Sequence, residues 1–248
     1  MLPLVADGLM VHQLLNGDKM IIVTGASKNI GRYLFKSFKE RGERVVGLYN
    51  STLCGFDEDM SDYYRVDISN YHSVEKFIEE IKCELENIVL VNCAGMSYTG
   101  FAHKADIERW QKVINVNLIG TFNITRVLLP YMREQNFGRI INFSSVVAVR
   151  PTPGVSAYAA SKAGLIGLTK SLSIENASKG ITVNAINLGY VSIGMGVEEV
   201  PEAYRGKMME TIPAGRFCNP DEILNTVDYL IKTEYINGAD ININGGVV

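Results

Sequence analysis

Cysteine is scarce in this chain, with four in 248 residues. Cys54, Cys83, Cys93 and Cys218 lie far apart and show no metal-ligand spacing. That argues against a disulfide framework and a thiolate metal centre, and predicts a reduced, cytoplasmic protein with no metal. An excess of charge is also missing: 24 Lys and Arg stand against 27 Asp and Glu, a net charge of −3. With a pI of about 5.7, nothing points to a nucleic-acid or membrane partner. No apolar run approaches the roughly 18 residues of a spanning helix. The opening dozen residues lack a basic segment, and Asp7 and Gly8 break their apolar stretch, so no signal peptide is expected. Internal repeats, linkers and low-complexity tracts are absent as well.

What is present is regular alternation. Apolar strand candidates at 20–24, 44–49, 63–66, 88–92, 139–143, 182–187 and 239–243 are separated by helical patterns, including 73–85, 106–132, 157–177 and 220–231. Strands too apolar to be half exposed, with helices between them, predict an α/β fold: a doubly wound parallel sheet covered on both faces. Right-handed crossovers then put the ligand crevice beyond the carboxyl ends of the strands. The length fits one domain. We place it at residues 15–248, preceded by an extension over 1–14, which reads equally as a flexible arm, a packing element or sequence ahead of a misjudged start. The stretch 189–211, with Gly194, Gly196 and Gly206, breaks the alternation.

Four motifs carry chemistry. The run Thr24-Gly-Ala-Ser-Lys-Asn-Ile-Gly31 follows an apolar strand and opens a helical pattern. In that setting the N–H groups at the helix start can cradle a pyrophosphate, and glycines allow close approach. Asn29 stands where a middle glycine is expected, and asparagine tolerates a left-handed backbone. Asn92-Cys-Ala-Gly95 closes a second apolar strand, and Cys93 within it reads as a small buried residue. A third strand ends in Ser144 and Ser145, and Asn115-Val-Asn117 lies on a helical segment between. Finally, Tyr158 and Lys162 are four apart, on one helix face. An ammonium there favours a phenolate and predicts a lowered tyrosine pKa. Such a pair can pass a proton to a ketone oxygen.

In this order and spacing the motifs resemble those of the short-chain dehydrogenase/reductase family, from about Leu15 to the C-terminus, and are most similar to its bacterial 3-oxoacyl-carrier-protein reductase-like members. The resemblance implies a Rossmann-type fold and a catalytic tetrad of Asn117, Ser145, Tyr158 and Lys162. Tyr158 would be the general acid, Lys162 would lower its pKa and bind the nicotinamide ribose, Ser145 would hold the carbonyl oxygen, and Asn117 would anchor a water in a relay. Ser144 is the competing serine, but Ser145, thirteen residues before Tyr158, matches the family spacing. The resemblance implies a nicotinamide cofactor contacted by Gly25, Ser27, Lys28, Asn29, Ile30, Gly31, Tyr49, Asn50, Asp67, Ile68, Asn92, Ala94, Gly95, Tyr158, Lys162, Gly189 and Val191.

An NAD enzyme usually carries an acidic residue at the end of the second strand for the ribose 2′-OH. Here Tyr49 and Asn50 stand there, and Lys28 is a cation within reach, read either as a 2′-phosphate ligand or as an exposed turn lysine. We expect NADPH ahead of NADH. The expected activity is reduction of a ketone, in a 3-oxoacyl thioester or a small biosynthetic carbonyl compound. An NAD-dependent alcohol dehydrogenase working oxidatively, and a non-catalytic nucleotide-binding protein, are the alternatives.

Some positions depart from the family pattern. Leu188-Gly189 replaces its Pro-Gly, and Ile193 replaces its carboxamide-binding threonine, for which Ser192 or backbone groups would substitute. The two basic positions that grip acyl carrier protein correspond to Asn136 and Lys179, only one of them basic, which weakens that partner. Met96, Val147, Tyr190 and Met195 are candidates for a partly apolar pocket. The stretch 189–211 resembles the family's substrate loop. A second apolar stripe on helices 106–132 (Val113, Ile114, Val116, Leu118, Ile119) and 157–177 (Leu165, Ile166, Leu168, Leu172), with the family's way of pairing these helices, predicts a homotetramer.

Overall fold

The computed structural model describes residues 19–51, 60–194 and 202–247; the extension over 1–14, Cys54, Met195 and Gly196 lie outside the described residues. Seven strands form one parallel sheet: β1 (Ile21–Thr24), β2 (Val45–Tyr49), β3 (Tyr63–Arg65), β4 (Val89–Asn92), β5 (Gly138–Ser145), β6 (Ile181–Leu188) and β7 (Asp240–Ile243). Their order is β3-β2-β1-β4-β5-β6-β7, so the chain reverses direction between β1 and β4. This is the predicted doubly wound topology, and the reversal opens a crevice at the carboxyl ends of those two strands.

The sheet divides two cores. Along β1 the side chains alternate: Met20 and Ile22 enter one cluster with Val74, Ile78, Ile124 and Leu128, while Ile21 and Val23 join Leu34, Phe35, Phe38, Ile223 and Val227 on the other face. The first face is covered by α2 (Tyr71–Ile81), α4 (Gly120–Gln135) and α5 (Ser156–Asn176), with α3 (Ile107–Ile114) packed against α5. The second is covered by α1 (Asn29–Glu40) and α7 (Pro220–Lys232). Helix α2 starts two residues before its expected position because the Asn70 side chain accepts from Ser73 N–H at 3.1 Å and caps it. Helix α7 opens on a reciprocal capping box between Asn219 and Glu222, with a proline in its first turn.

Three expectations need correction. The irregular stretch 189–211 contains a helix, α6 (Glu202–Glu210). The helix expected over 106–132 is two α-helices joined by a wide π turn, Asn115–Ile119. Such turns concentrate at functional sites. By length and hydropathy the joined stretch Ile107–Gln135 passes for a membrane span, but half of its most apolar window is buried within the protein, as in a core helix.

The second apolar stripe is also thinner than expected. Val113, Leu165 and Leu172 belong to the core, Val116 faces the crevice, and Leu118 packs on Gly164 of α5. Ile119, Phe122 and Ile174 remain exposed on the outside of these helices.

Strand length positions the site. β5 and β6 pair along eight residues each, from Gly138 with Ile181 to Ser145 with Leu188. β4 stops at Asn92, opposite Asn142. The ends of β5 and β6 therefore overhang their neighbour and form a shelf beside the crevice.

Candidate active site

The crevice at the strand ends has a volume of about 710 Å³. Its nucleotide side is built by the turn between β1 and α1. Gly25 has a φ of +70°, and a Cβ built on it would lie 2.8 Å from the Ala94 Cα, so only glycine fits. Gly31 sits directly on the Gly25 carbonyl. Asn29 adopts a φ of +54°, the left-handed conformation that its place in the turn requires. These residues leave a bare backbone cradle at a helix N-terminus, which fits a dinucleotide pyrophosphate.

Fifteen of the seventeen expected cofactor contacts line this crevice or its catalytic end without qualification: Gly25, Ser27, Lys28, Asn29, Ile30, Gly31, Tyr49, Asn50, Asp67, Ile68, Ala94, Gly95, Gly189, Val191 and Tyr158. Lys162 lines it too, from below. Asn92 does not. It is buried beneath the crevice, where its amide donates to Asn142 Oδ1 at 2.9 Å and Asn142 in turn donates to Thr169. One Asp67 oxygen accepts from the Ser69 N–H and hydroxyl at 3.0 and 2.6 Å, which fixes the carboxylate at the crevice wall.

On the shelf, Ser145 and Tyr158 line the crevice together, close enough for the serine hydroxyl to favour the phenolate. Ser144 turns the other way and donates to the Lys162 carbonyl at 2.9 Å, as alternation along a strand demands. Tyr158 packs against a buried cluster of Tyr98, Val113 and Ala157, on which Met96 and Trp110 also rest. Lys162, one turn along α5, is buried; its Nζ donates to the Phe143 carbonyl at 2.6 Å and lies 5.5 Å from the centre of the Tyr158 ring. Burial draws its ammonium down to about 8, opposed by Cys93.

The expected lowering of the Tyr158 pKa by Lys162 is not what the structure shows. Burial of the phenol raises it, and the neighbouring Ser145 hydroxyl pulls the other way with the smaller effect. Tyr158 is thus held in its protonated form at neutral pH. Cys93, between these groups and the nucleotide turn, is raised by burial as well.

Asn117 sits in the π turn and is fully buried, outside the crevice lining. Its Oδ1 accepts from Met96 N–H and its Nδ2 donates to the Met96 carbonyl, both at 2.9 Å; Nδ2 also donates to Ser161 Oγ at 3.0 Å. Its carbonyl accepts from Thr121 Oγ1 at 2.8 Å. The side chain therefore ties the segment after β4 to α5, rather than presenting itself to the crevice. Gly95 lies against it: a Cβ there would be 3.5 Å from Asn117 Oδ1 and 3.6 Å from Lys162 Nζ.

Met96, Val147, Tyr190 and Ile193 line the crevice as well. Ser192 does not: it is exposed, and its N–H donates to the Cys218 carbonyl at 3.0 Å. Sequence reasoning missed Ser97, Thr99, Lys112, Thr152, Val155 and Met208. Lys112 and Val116 share the helix face one turn apart, a signal that was available. Thr152 and Val155 lie in a loop with no periodicity to reveal them.

The family profile described as short chain dehydrogenase matches residues 19–203. The chain belongs to the short-chain dehydrogenase family. It is 37% identical over 241 residues to the acetoacetyl-CoA reductase of Shinella zoogloeoides, covering 92% of this chain and 98% of that protein. It is 35% identical to the 3-oxoacyl-(acyl-carrier-protein) reductase of Thermotoga maritima, covering 93% and 98%. The ligand-free aldohexose dehydrogenase of Thermoplasma acidophilum superposes with a TM-score of 0.84 at 30% identity, covering 93% of this chain and 94% of that one. As a short-chain dehydrogenase the protein is an NAD(P)-dependent oxidoreductase.

Proposed function

We propose that this short-chain dehydrogenase is an NADPH-dependent ketone reductase acting on a 3-oxoacyl thioester or a small biosynthetic ketone. The observation that carries this reading is the meeting of Ser145 and Tyr158 at the crevice end, with Lys162 buried one turn below. A bound reduced nicotinamide supplies the hydride. The chain supplies position and the proton. Ser145 holds the carbonyl oxygen and polarises it. Tyr158, kept protonated by burial, gives its proton to that oxygen as charge develops there. Lys162, with a pKa drawn to about 8, is poised to replace the proton and to bind the nicotinamide ribose. Asn117 is a positioning residue that fixes Met96 and Ser161 on either side. Substrate faces Met96, Val147, Val155, Tyr190, Ile193 and Met208, a mostly apolar wall suited to an acyl chain or alkyl ketone.

Three features support NADPH over NADH. No carboxylate stands at Tyr49 or Asn50, Lys28 lines the crevice with its side chain exposed, and Arg65 Nε donates to the Asn50 carbonyl at 3.1 Å, bringing a further positive charge to the end of β2. Asn136 and Lys179 give a carrier protein one cation where the family pattern implies two, so a free thioester is the better first substrate. We also propose a homotetramer, built on the exposed residues of α4 and α5.

The test is reduction of acetoacetyl-CoA with NADPH by the parent and by Tyr158→Phe. The variant should bind NADPH as the parent does and turn over ~10²–10⁴-fold more slowly. A variant within threefold of the parent would sink the mechanism.

A further inference from the structure

The residue at the middle of the phosphate turn touches the opposite wall of the crevice. Gly25 and Gly31 have no room for a side chain, but position 29 carries one. Asn29 holds a φ of +54°, where glycine would be unstrained. Its side chain runs to the segment leaving β6. A Cβ built on Gly194 would lie 2.9, 3.0 and 3.2 Å from Asn29 Cβ, Cγ and Nδ2, and these are the three nearest atoms. Gly194 itself has a φ of +82° and is buried. The backbone of one wall thus packs on the carboxamide of the other.

The segment 189–194 is anchored at its base. Gly189 N–H donates to the Ile243 carbonyl at 2.9 Å, Cys218 N–H to Tyr190 at 2.9 Å, and Ser192 N–H to Cys218 at 3.0 Å; Val191 and Cys218 form a parallel bridge. Tyr190 and Ile193, which face substrate, ride on this segment. Past the anchor, the Asn29 contact holds it against the turn that receives the pyrophosphate.

We propose that Asn29 is a positioning residue that clasps Gly194. The phosphate turn and the segment after β6 then move as one body, and the clasp must open for the dinucleotide to leave. The idea rests on the nucleotide-binding reading above and adds to it a residue-level control of cofactor release. A glycine at position 29 would keep every N–H of the turn and relieve its backbone, so selection for phosphate binding alone gives no reason for the asparagine.

The test is a double-mutant cycle with Asn29→Gly, Gly194→Ala and both together, read by the melting temperature of the cofactor-free protein and by NADPH release in stopped-flow fluorescence. Gly194→Ala should lower the melting temperature by about 2–4 °C or more, through its clash with Asn29 and its left-handed backbone. Adding Asn29→Gly removes the clashing atoms and should recover at least half of that loss. Asn29→Gly alone should release NADPH roughly threefold faster or more, with association unchanged. Additive melting losses, or release at the parental rate in Asn29→Gly, would overturn the clasp. A parent that binds NADH but not NADPH would overturn the cofactor preference proposed above and leave this cycle to be run with NADH.

Discussion

Ser144 and Ser145 are neighbours on β5 with hydroxyls committed to opposite tasks: Ser144 donates to the Lys162 carbonyl at 2.9 Å, while Ser145 lines the crevice beside Tyr158. One fastens α5 to the sheet and the other faces the chemistry. Ser145→Ala should therefore cost ~10²–10³-fold in turnover, the usual loss for one donor to a developing oxyanion. Ser144→Ala should lower stability by about 1 kcal/mol through a lost buried hydrogen bond and leave turnover within a few-fold. Steady-state kinetics and thermal melts of the two variants separate these outcomes; equal kinetic losses would refute the division of labour.

Lys162 makes activity and stability respond to pH in opposite directions. Its folded pKa of about 8 lies below the ordinary 10.5. Between those values the unfolded chain binds a proton that the folded protein does not, so this residue's contribution to stability rises with pH over that window and is least favourable below pH 8. The cofactor-free parent should gain stability relative to Lys162→Met from about pH 8 to 10.5, as denaturant melts at several pH values would show. Reduction should instead decline above about pH 8, as the ammonium that replaces the Tyr158 proton is lost. A kcat/KM profile flat to pH 10 would contradict this.

Lys28 stands at the start of α1 with no carboxylate facing it from Tyr49 or Asn50. Lys28→Ala should weaken NADPH by about 1–3 kcal/mol, the range for a hydrogen bond to a charged group, and leave NADH nearly unchanged. Fluorescence titration with both cofactors measures it. Equal losses would mean that the 2′-phosphate is read elsewhere.

Ile119, Phe122 and Ile174 expose apolar surface on the outer faces of the α4 and α5 helices and the turn before them. If these faces pair across two-fold axes, light scattering at micromolar concentration should give about four times the 27.4 kDa chain mass. Charged substitutions at Phe122 and Ile174 should lower that mass. A 27.4 kDa particle rules out the assembly.

The sheet and its crevice were legible because parallel strands buried on both faces write themselves as apolar runs. All seven expected strands exist, and Asn29 adopts the backbone that its place in the glycine turn foretold. Helix α6 was not legible, since its residues carry almost no apolar stripe for a periodicity to show. The direction of the Tyr158 shift was not legible either. A four-residue spacing reports that Lys162 is close, but the shift is set by burial of the phenol, which packs on a cluster that includes Tyr98 and Val113 from other parts of the chain. Asn117 was placed correctly on its helical segment, yet its amide is occupied by Met96 and Ser161, partners that only the folded chain brings together.

The shelf formed by β5 and β6 carries a further consequence for fidelity. Side chains on a strand alternate, so a slip of β5 by a single residue would exchange Ser144 for Ser145 and present the wrong hydroxyl to the substrate. The safeguard is the ladder from Gly138 with Ile181 to Ser145 with Leu188, buried along its whole length. Ile141 and Val183, buried in the sheet and outside the crevice lining, thereby act as guarantors of the reaction: they hold the molecule to the one alignment of two strands in which its chemistry is spelled correctly.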